Sequence, residues 1–350
     1  MFRAFCLRNN KKGGSVLKNA KLTDTRYLYL SSLVCVMEST LAGKEQYEKM
    51  LESESAAECL RLAIELYSGR GEVPTDEEAL LRFMAEKTYR EIDEALLSCG
   101  GENELLMPLR LPYDGQNLKA CIKCEKRSLS PATLLVSCGT VPKDEVQNAV
   151  AKRDFSLFTP HIRESAPEAI EEFSKTGDPS AVDRILDRAV FLDRKEMCDK
   201  IGLSYLSRLC TLKADLTNVI SFARAARIGA EKSFFESFFL PGGDVPYAFF
   251  AEHYEKGLEE LLSALSVRPA FSALEKALDA PLSLGELERL CDEIFLACAL
   301  TARGVSFGAE KPLMFAIERE NEIRNIRILL AGKKAGLSKE DLRARLRGVN

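Results

Sequence analysis

The chain has 350 residues, of which 46% are apolar, and its formal net charge at pH 7 is −4. This length suggests two or three domains, and the apolar fraction is ordinary for a globular protein with a buried core. The charge excludes an overall attraction to nucleic acid or to an anionic membrane. No stretch reaches the roughly 18 uninterrupted apolar residues of a membrane-spanning helix. We therefore expect a cytoplasmic globular protein without direct membrane insertion.

Residues 1–23 form a basic leader. This segment contains six lysine and arginine residues and no acidic residue before Asp24. It lacks the apolar core of a secretory signal peptide. We expect it to be disordered rather than to act as a targeting device.

Apolar residues then recur at helical spacing along most of the chain. In the first such stretch, Leu30, Val34, Met37 and Leu41 lie three or four residues apart, as on the core-facing side of a helix. Similar stripes follow in later segments, whereas the alternation of apolar and polar residues that marks strands is scarce. The sequence therefore predicts an all-α fold class.

A short motif recurs three times: an acidic residue, two variable residues, an asparagine and an aliphatic residue. The acid and asparagine positions are Asp114, Asn117, Asp215, Asn218, Glu322 and Asn325. The asparagines are 101 and 107 residues apart. A period near one hundred residues corresponds to a whole small domain rather than to a solenoid repeat.

A second match supports the repeat. Residues 135–142 align with residues 239–246 at an offset of 104, so that Gly139 corresponds to Gly243, and a shortened form occurs at Gly336. We include these three glycines in the structural signature of the repeat.

The repeat predicts three tandem homologous helical domains after the leader. Their boundaries are 24–135, 136–238 and 239–350. Like interfaces between three domains close into a ring when each copy is rotated by about 120° from the last. We therefore expect a pseudo-three-fold arrangement with a central depression.

The motif itself suggests an architectural role. Asp114 follows Pro112 and precedes apolar residues one turn apart, which predicts that it lies at a helix start and accepts a hydrogen bond from a free backbone amide. Asn117 lies three residues on, and its amide both donates and accepts, so it can bond the backbone of a crossing segment. Paired carboxylates for acid–base catalysis are the alternative, but a catalytic pair is seldom needed three times in one chain.

The eleven cysteines are scattered along apolar stretches, which is typical of buried free thiols in a reducing compartment. Only Cys121 and Cys124 form a C-x-x-C pair. A zinc site would need a second pair or nearby histidines, and the chain has only His161 and His253. Two thiols one turn apart on a helix explain the pair best, and a cysteine-based metal or redox protein is the alternative.

Signals of catalysis are missing from the sequence. It contains neither a phosphate-binding loop of the P-loop type nor the glycine-rich loop of dinucleotide-binding proteins. The basic C-terminal stretch, residues 324–347, includes acidic residues and lacks interleaved aromatic residues, unlike a single-strand nucleic-acid binder. We therefore expect no catalytic residue, no metal, no cofactor and no nucleic-acid partner.

Five stretches carry a resemblance to a known family. They are Tyr27–Glu38, Tyr47–Leu51, Tyr113–Lys119, Ala214–Ile220 and, most specifically, Glu320–Glu340. In these stretches the chain resembles the C subunit of the prokaryotic V-type (A/V-type) ATPase and ATP synthase, whose eukaryotic relative is the d subunit of the vacuolar ATPase. The resemblance covers nearly all of the chain after the leader.

The resemblance implies a mechanical function. Members of this family are three-domain, all-helical funnels in the central stalk of a rotary ATPase. They link the rotating axle subunits to the membrane rotor ring and transmit torque for proton or sodium transport, with no catalytic residue of their own. The resemblance therefore implies a peripheral, cytoplasmic position at the membrane and these two partners. A helical adaptor or scaffold protein unrelated to ATPases is the alternative that the composition leaves open.

Overall fold

The computed structural model describes residues 25–67, 71–99, 103–278 and 282–349. Every regular element within these ranges is helical, and no strand occurs among them. The predicted all-α class is confirmed. The predicted leader, residues 1–23, lies outside the described residues. None of the described helices combines the length and the apolarity that crossing a bilayer requires.

Fifteen α-helices make up most of the described chain. In chain order they are α1 (Thr25–Glu38), α2 (Lys44–Glu52), α3 (Ala56–Glu65), α4 (Glu77–Ser98), α5 (Met107–Lys126), α6 (Lys143–Lys152), α7 (Pro160–Thr176), α8 (Pro179–Ile201), α9 (Ser204–Arg227), α10 (Lys232–Phe238), α11 (Tyr247–His253), α12 (Leu258–Ser266), α13 (Leu284–Leu300), α14 (Glu310–Lys334) and α15 (Lys339–Arg345). Short 3-10 helices lie at Asn103–Leu106, Pro269–Ala277 and Thr301–Gly304.

Side chains at the helix starts explain several of these boundaries. Ser55, Asp76 and Ser338 each precede a helix, and their side-chain oxygens accept hydrogen bonds from backbone amides in its first turn at 3.1, 2.9 and 3.0 Å. Such caps satisfy donors that have no partner within the helix. At the other end, α7 and α8 stop at Gly177 and Gly202, both with φ 69°, a left-handed conformation that glycine adopts without strain.

The described residues form two compact units. The first combines residues from both ends of the chain, 25–67, 71–99, 103 and 285–349, and the second contains residues 104–278 and 282–284. This grouping follows packing, whereas the three predicted domains follow sequence similarity. The division into three domains therefore stays a prediction.

Helix α14 is the central element of the first unit. Nine consecutive residues, 311–319, are all buried, so the helix is covered on every side over more than two turns. It packs against α1, α3 and α4. The C-terminal part of the chain thus supplies a largely buried helix to a unit that also contains the N-terminal helices α1 to α4.

In the second unit, α8 packs against α5, α7 and α9. Buried apolar side chains from α5 to α8 form its main core, among them Leu118, Val146, Ile162 and Val190. An aromatic cluster lies further along the chain, where the rings of five other aromatic residues lie around that of Phe235. The ring centroids of Phe222, Phe250 and Tyr254 lie 5.5, 5.7 and 5.9 Å from that of Phe235.

Two neighbouring phenylalanines on α10 test this packing. Phe235 is fully buried, whereas Phe234 is 43% exposed. We expect Phe235→Ala to lower the free energy of unfolding by about 3–5 kcal/mol, since it removes a buried ring and leaves a cavity. Phe234→Ala should cost less than about 1 kcal/mol. Chemical denaturation of both variants measures the difference, and equal losses would contradict the described packing.

Candidate functional site

The three acid–asparagine pairs lie inside long helices, not at helix starts. Asp114, Asp215 and Glu322 are on α5, α9 and α14, and at most 2% of each residue is exposed. The predicted position of Asp114 at a helix start is therefore wrong. Helix α5 begins at Met107 and continues through Pro112, because the packing of buried residues on both sides of the proline outweighs the hydrogen bond that it removes.

Each asparagine makes the same pair of hydrogen bonds. The Nδ2 atoms of Asn117 and Asn218 donate to the carbonyl oxygens of Val136 and Leu240, both at 2.8 Å. The amides of the same two residues donate back to the asparagine Oδ1 atoms at 2.9 and 2.8 Å. The side chain thereby satisfies both backbone groups of one residue, as a neighbouring strand would.

Asn325 completes the set in the first unit. Its Nδ2 donates to the carbonyl oxygen of Arg347 at 2.8 Å, and the Arg347 amide donates to its Oδ1 at 3.0 Å. In all three cases the bonded residue follows the asparagine by 19 or 22 positions. Each asparagine therefore fixes a non-helical residue further along the chain, which in the second and third cases lies just after a short helix, α10 or α15.

The two aspartates bind the same segments at a second place, a few residues after the contact with the asparagine. Asp114 accepts hydrogen bonds from the amides of Thr140 and Val141 at 2.9 and 3.0 Å, and from the Thr140 hydroxyl at 2.6 Å. Asp215 accepts from the amides of Asp244 and Val245 at 2.9 and 3.1 Å. Both acids thus bind backbone amides just before the next helix.

Two of the predicted glycines allow this approach. A Cβ atom at Gly139 would lie 2.1 Å from Asp114 Oδ1, and one at Gly243 would lie 1.9 Å from Asp215 Oδ1. No side chain larger than hydrogen fits at these distances. Gly336 differs from these two glycines. It follows α14 with φ 70°, and a Cβ atom added to it would have no atom within 4 Å. There the backbone conformation, rather than a close contact, favours glycine.

Glu322 is bound differently from the two aspartates. Arg319, one turn earlier on α14, donates from Nη1 to Glu322 Oε2 at 2.5 Å and to the Tyr67 hydroxyl at 2.7 Å. Its Nη2 donates to Thr40 Oγ1 at 2.7 Å. Arg319 is only 1% exposed. The acid of this motif therefore pairs with a buried arginine, which connects α14 to the N-terminal part of the first unit.

Sequence reasoning missed this network. The partners of Arg319 lie 279 and 252 positions away, too far to be related by spacing. The available signal was local: Arg319 and Glu322 are three residues apart, which places them on one helix face.

Burial sets the electrostatics of the aspartates. It raises the pKa of Asp215 to about 6, and the hydrogen bonds from Val245 and Asp244 act in the opposite direction. Burial also raises the pKa of Asp114, opposed by hydrogen bonds from Thr140 and Val141. A buried carboxylate without such donors would be strongly destabilised. The backbone amides therefore stabilise the buried carboxylate, and the carboxylate in turn holds the backbone of the loop in place.

The C-x-x-C pair and the histidines have ordinary surroundings. Cys121 and Cys124 are buried free thiols on α5, and burial raises the pKa of Cys121 to about 11. His161 Nε2 lies 2.8 Å from Glu196 Oε1, and His253 Nδ1 lies 2.8 Å from a carbonyl oxygen of its own helix. In the part of the chain that the structure describes, no three His, Cys, Asp or Glu side chains are arranged to hold a metal ion.

Replacing the asparagines tests their backbone bonds. We expect Asn117→Leu, Asn218→Leu and Asn325→Leu each to lower the free energy of unfolding by about 1–3 kcal/mol, because a buried backbone amide and carbonyl lose their partners. Asn148→Leu is the matched control, since Asn148 is exposed on α6. Denaturation midpoints that stay unchanged in all three variants would show that these asparagines are not anchors.

The glycines allow a separate test. Gly243→Ala brings a methyl group against a carboxylate that two amides hold in place, so we expect a loss of about 1–3 kcal/mol in unfolding free energy. Gly285→Ala is the control, because Gly285 lies in α13 and nothing is within 4 Å of its Cβ position. That change should leave stability unchanged or raise it by up to about 1 kcal/mol. An unchanged free energy of unfolding in Gly243→Ala would contradict the close contact between Gly243 and the Asp215 carboxylate.

Known relatives share this sequence over most of its length. The chain is 22% identical to the C subunit of the V-type sodium ATPase of Enterococcus hirae over 330 residues, which cover 92% of this chain and 98% of the relative. It is 25% identical to the C subunit of the A-type ATP synthase of Methanosarcina acetivorans over an alignment of 356 positions, which covers 94% of each chain. A further relative, the corresponding A-type ATP synthase protein of Halorubrum lacusprofundi, is 27% identical over 51% of this chain and 53% of its own length.

A family model gives the assignment. The model of the ATP synthase (C/AC39) subunit matches residues 30–345. This match includes all three acid–asparagine motifs and both of the glycines that approach a carboxylate. The chain therefore belongs to the ATP synthase (C/AC39) subunit family.

Proposed function

We propose that this protein is a non-catalytic component of the central stalk of a rotary V-type or A-type ATPase. In this role it links the rotating axle subunits to the membrane rotor ring and transmits torque for proton or sodium transport. Membership of the ATP synthase (C/AC39) subunit family carries the proposal. The names of its relatives, the C subunits of a V-type sodium ATPase and of two A-type ATP synthases, support it. We extend the proposal to a relationship with the d subunit of the eukaryotic vacuolar ATPase.

The way in which the described helices are tied together supports a mechanical role. A body that transmits torque must resist shear between its two loaded ends. In this chain, buried side chains on α5, α9 and α14 bind the backbone of the segments that follow them. Such bonds restrain irregular segments that would otherwise be the most deformable parts of a helical protein.

The repetition of this arrangement supports three tandem domains. Each motif helix binds its own following segment at a similar separation along the chain. We propose that residues 24–135, 136–238 and 239–350 form three homologous domains around a pseudo-three-fold axis, in the shape of a funnel. The axle would then enter an opening near this axis, and the rotor ring would contact the opposite face.

The proposed role is non-catalytic and peripheral. The buried acids accept hydrogen bonds from backbone amides or from Arg319, which suits architecture rather than proton transfer to a substrate. We propose that the protein reaches the membrane through its partner subunits and not by inserting into the bilayer.

Reconstitution of the ATPase with and without this chain tests the coupling role. ATP hydrolysis and ion flux are measured in the same preparation. Without the chain, hydrolysis by the ATP-hydrolysing head should continue while ion flux falls to background, because rotation no longer reaches the ring. Adding the purified chain back should restore flux and provides the control. Ion flux at the full rate in its absence would contradict the proposal.

A further inference from the structure

The two buried aspartates hold their segments with different hydrogen-bond donors. We call Asp114 with residues 139–141 the first latch, and Asp215 with residues 243–245 the second latch. In the first latch the carboxylate accepts hydrogen bonds from two amides and from the Thr140 hydroxyl. In the second latch it accepts from two amides and from no other described residue. The second latch therefore lacks a donor that the first latch has.

Asp244 stands where the first latch has Thr140, directly after the glycine that approaches the acid. Both buried acids are at most 1% exposed, so each loses nearly all of its hydration as an ion. Burial raises the pKa of Asp215 to about 6, and the like charge of Asp244 adds to this rise, against the hydrogen bonds from the two amides. Donors favour the charged form of a carboxyl group, and a like charge disfavours it. The charged form is therefore less well stabilised in the second latch than in the first.

An arginine near each latch does not account for the difference. Burial raises the pKa of Asp114 too, and Arg110 opposes this rise together with the hydrogen-bond donors of the first latch. Arg268 acts on the pKa of Asp215 in the same direction, together with the amides of the second latch. The contrast between the latches therefore depends on threonine or aspartate at the equivalent position.

Charged side chains also lie on the helices that pack against α9 and on α11. Arg194 of α8 is buried. The side-chain carbons of Lys195, also on α8, lie 3.5 and 3.6 Å from a Cβ atom placed on Gly242, and its ammonium group is paired with Asp199. His253, on α11, carries an imidazole, a group that commonly titrates between pH 5 and 8, so its effect has to be separated from that of the latch. The charged side chains of α10 and α12 are exposed: Lys232, Glu236, Glu259 and Glu260.

The sign of the pH dependence follows from the difference between the closed and the open latch. In the closed latch, burial holds the pKa of Asp215 at about 6. When the segment lifts away, water reaches the side chain and its pKa returns to the ordinary value of 3.8. Closing therefore takes up a proton, and it becomes more favourable as the pH falls through about 6. The protonated acid still has a carbonyl oxygen that accepts a hydrogen bond from an amide.

We propose that the second latch is a pH-sensitive device, in which a proton on Asp215 closes the segment between α10 and α11 onto α9. This segment is held more tightly at pH 5 than at pH 7.5, whereas the first latch changes little. The opening is local, because Asn218 binds Leu240 in the same segment through an amide group that does not titrate. This property belongs to the isolated chain and does not depend on a role in an ATPase.

Amide hydrogen exchange of the full chain between pH 5 and pH 7.5 tests the device, under conditions where the segment closes faster than its amides exchange. The protection factor compares the measured rate with that of an unfolded peptide at the same pH, so the pH dependence of the exchange chemistry cancels. At Val245 it should rise about tenfold from pH 7.5 to pH 5, given a pKa of about 6 in the closed latch and 3.8 in the open one. At Val141, in the first latch, it should change less than about threefold. A protection factor at Val245 that stays constant or falls with falling pH, or an equal rise at both valines, would overturn the proposal.

A variant without the titrating group identifies the acid responsible. Asp215→Asn cannot take up a proton in this pH range, so the rise at Val245 should disappear, whatever the level of protection. Asp144→Asn changes an exposed aspartate on α6 and should leave the rise at Val245 unchanged. A rise that persists in Asp215→Asn would assign the pH dependence to His253 or to another group, and the proposal would be wrong.

An exchange of residues between the two latches tests the cause of their difference. Asp244→Thr, at an exposed position, removes the like charge and supplies the hydroxyl donor of the first latch. The rise at Val245 should then shrink to less than about threefold. The reverse change, Thr140→Asp, should increase the rise at Val141. Circular dichroism confirms that both variants are folded, and an unchanged pH dependence in both would overturn the roles of Thr140 and Asp244.

Discussion

The pairing of a buried asparagine with both backbone groups of one residue is the constraint on which the described architecture depends. A segment that leaves a helix without entering another regular element must still satisfy its buried amides and carbonyls. Asn117, Asn218 and Asn325 do this for the segments that contain Val136, Leu240 and Arg347. An asparagine suits the task because its short side chain carries a donor and an acceptor in one plane.

The acid and the glycine follow from the same constraint. An aspartate one turn before the asparagine reaches the same segment a few residues further on, where it binds two amides. The close approach excludes a Cβ atom, so that Gly139 and Gly243 are required by space and not by an unusual backbone angle. The third acid–asparagine motif has a longer acid: Glu322 binds Arg319, and the arginine contacts a distant segment.

The sequence predicted those features that depend on local spacing. The three-fold recurrence identified the acid and asparagine positions, and the two functions of an amide indicated a bond to a crossing backbone. The helix start at Asp114 was predicted wrongly, because proline disfavours a helix interior and only tertiary packing shows that Pro112 is tolerated. The contacts of Arg319 with Thr40 and Tyr67 were not predictable, since nothing in a single sequence relates residues that far apart.

Amide hydrogen exchange at Leu240 tests the central claim most directly. Leu240 follows the end of α10 and lies outside any helix, so its amide would exchange quickly if only the regular elements were protected. The described bond to Asn218 Oδ1 predicts slow exchange at this amide, similar to that of the adjacent helices, and fast exchange in Asn218→Leu. Fast exchange at Leu240 in the unaltered chain would contradict the claim that the asparagine anchors the segment.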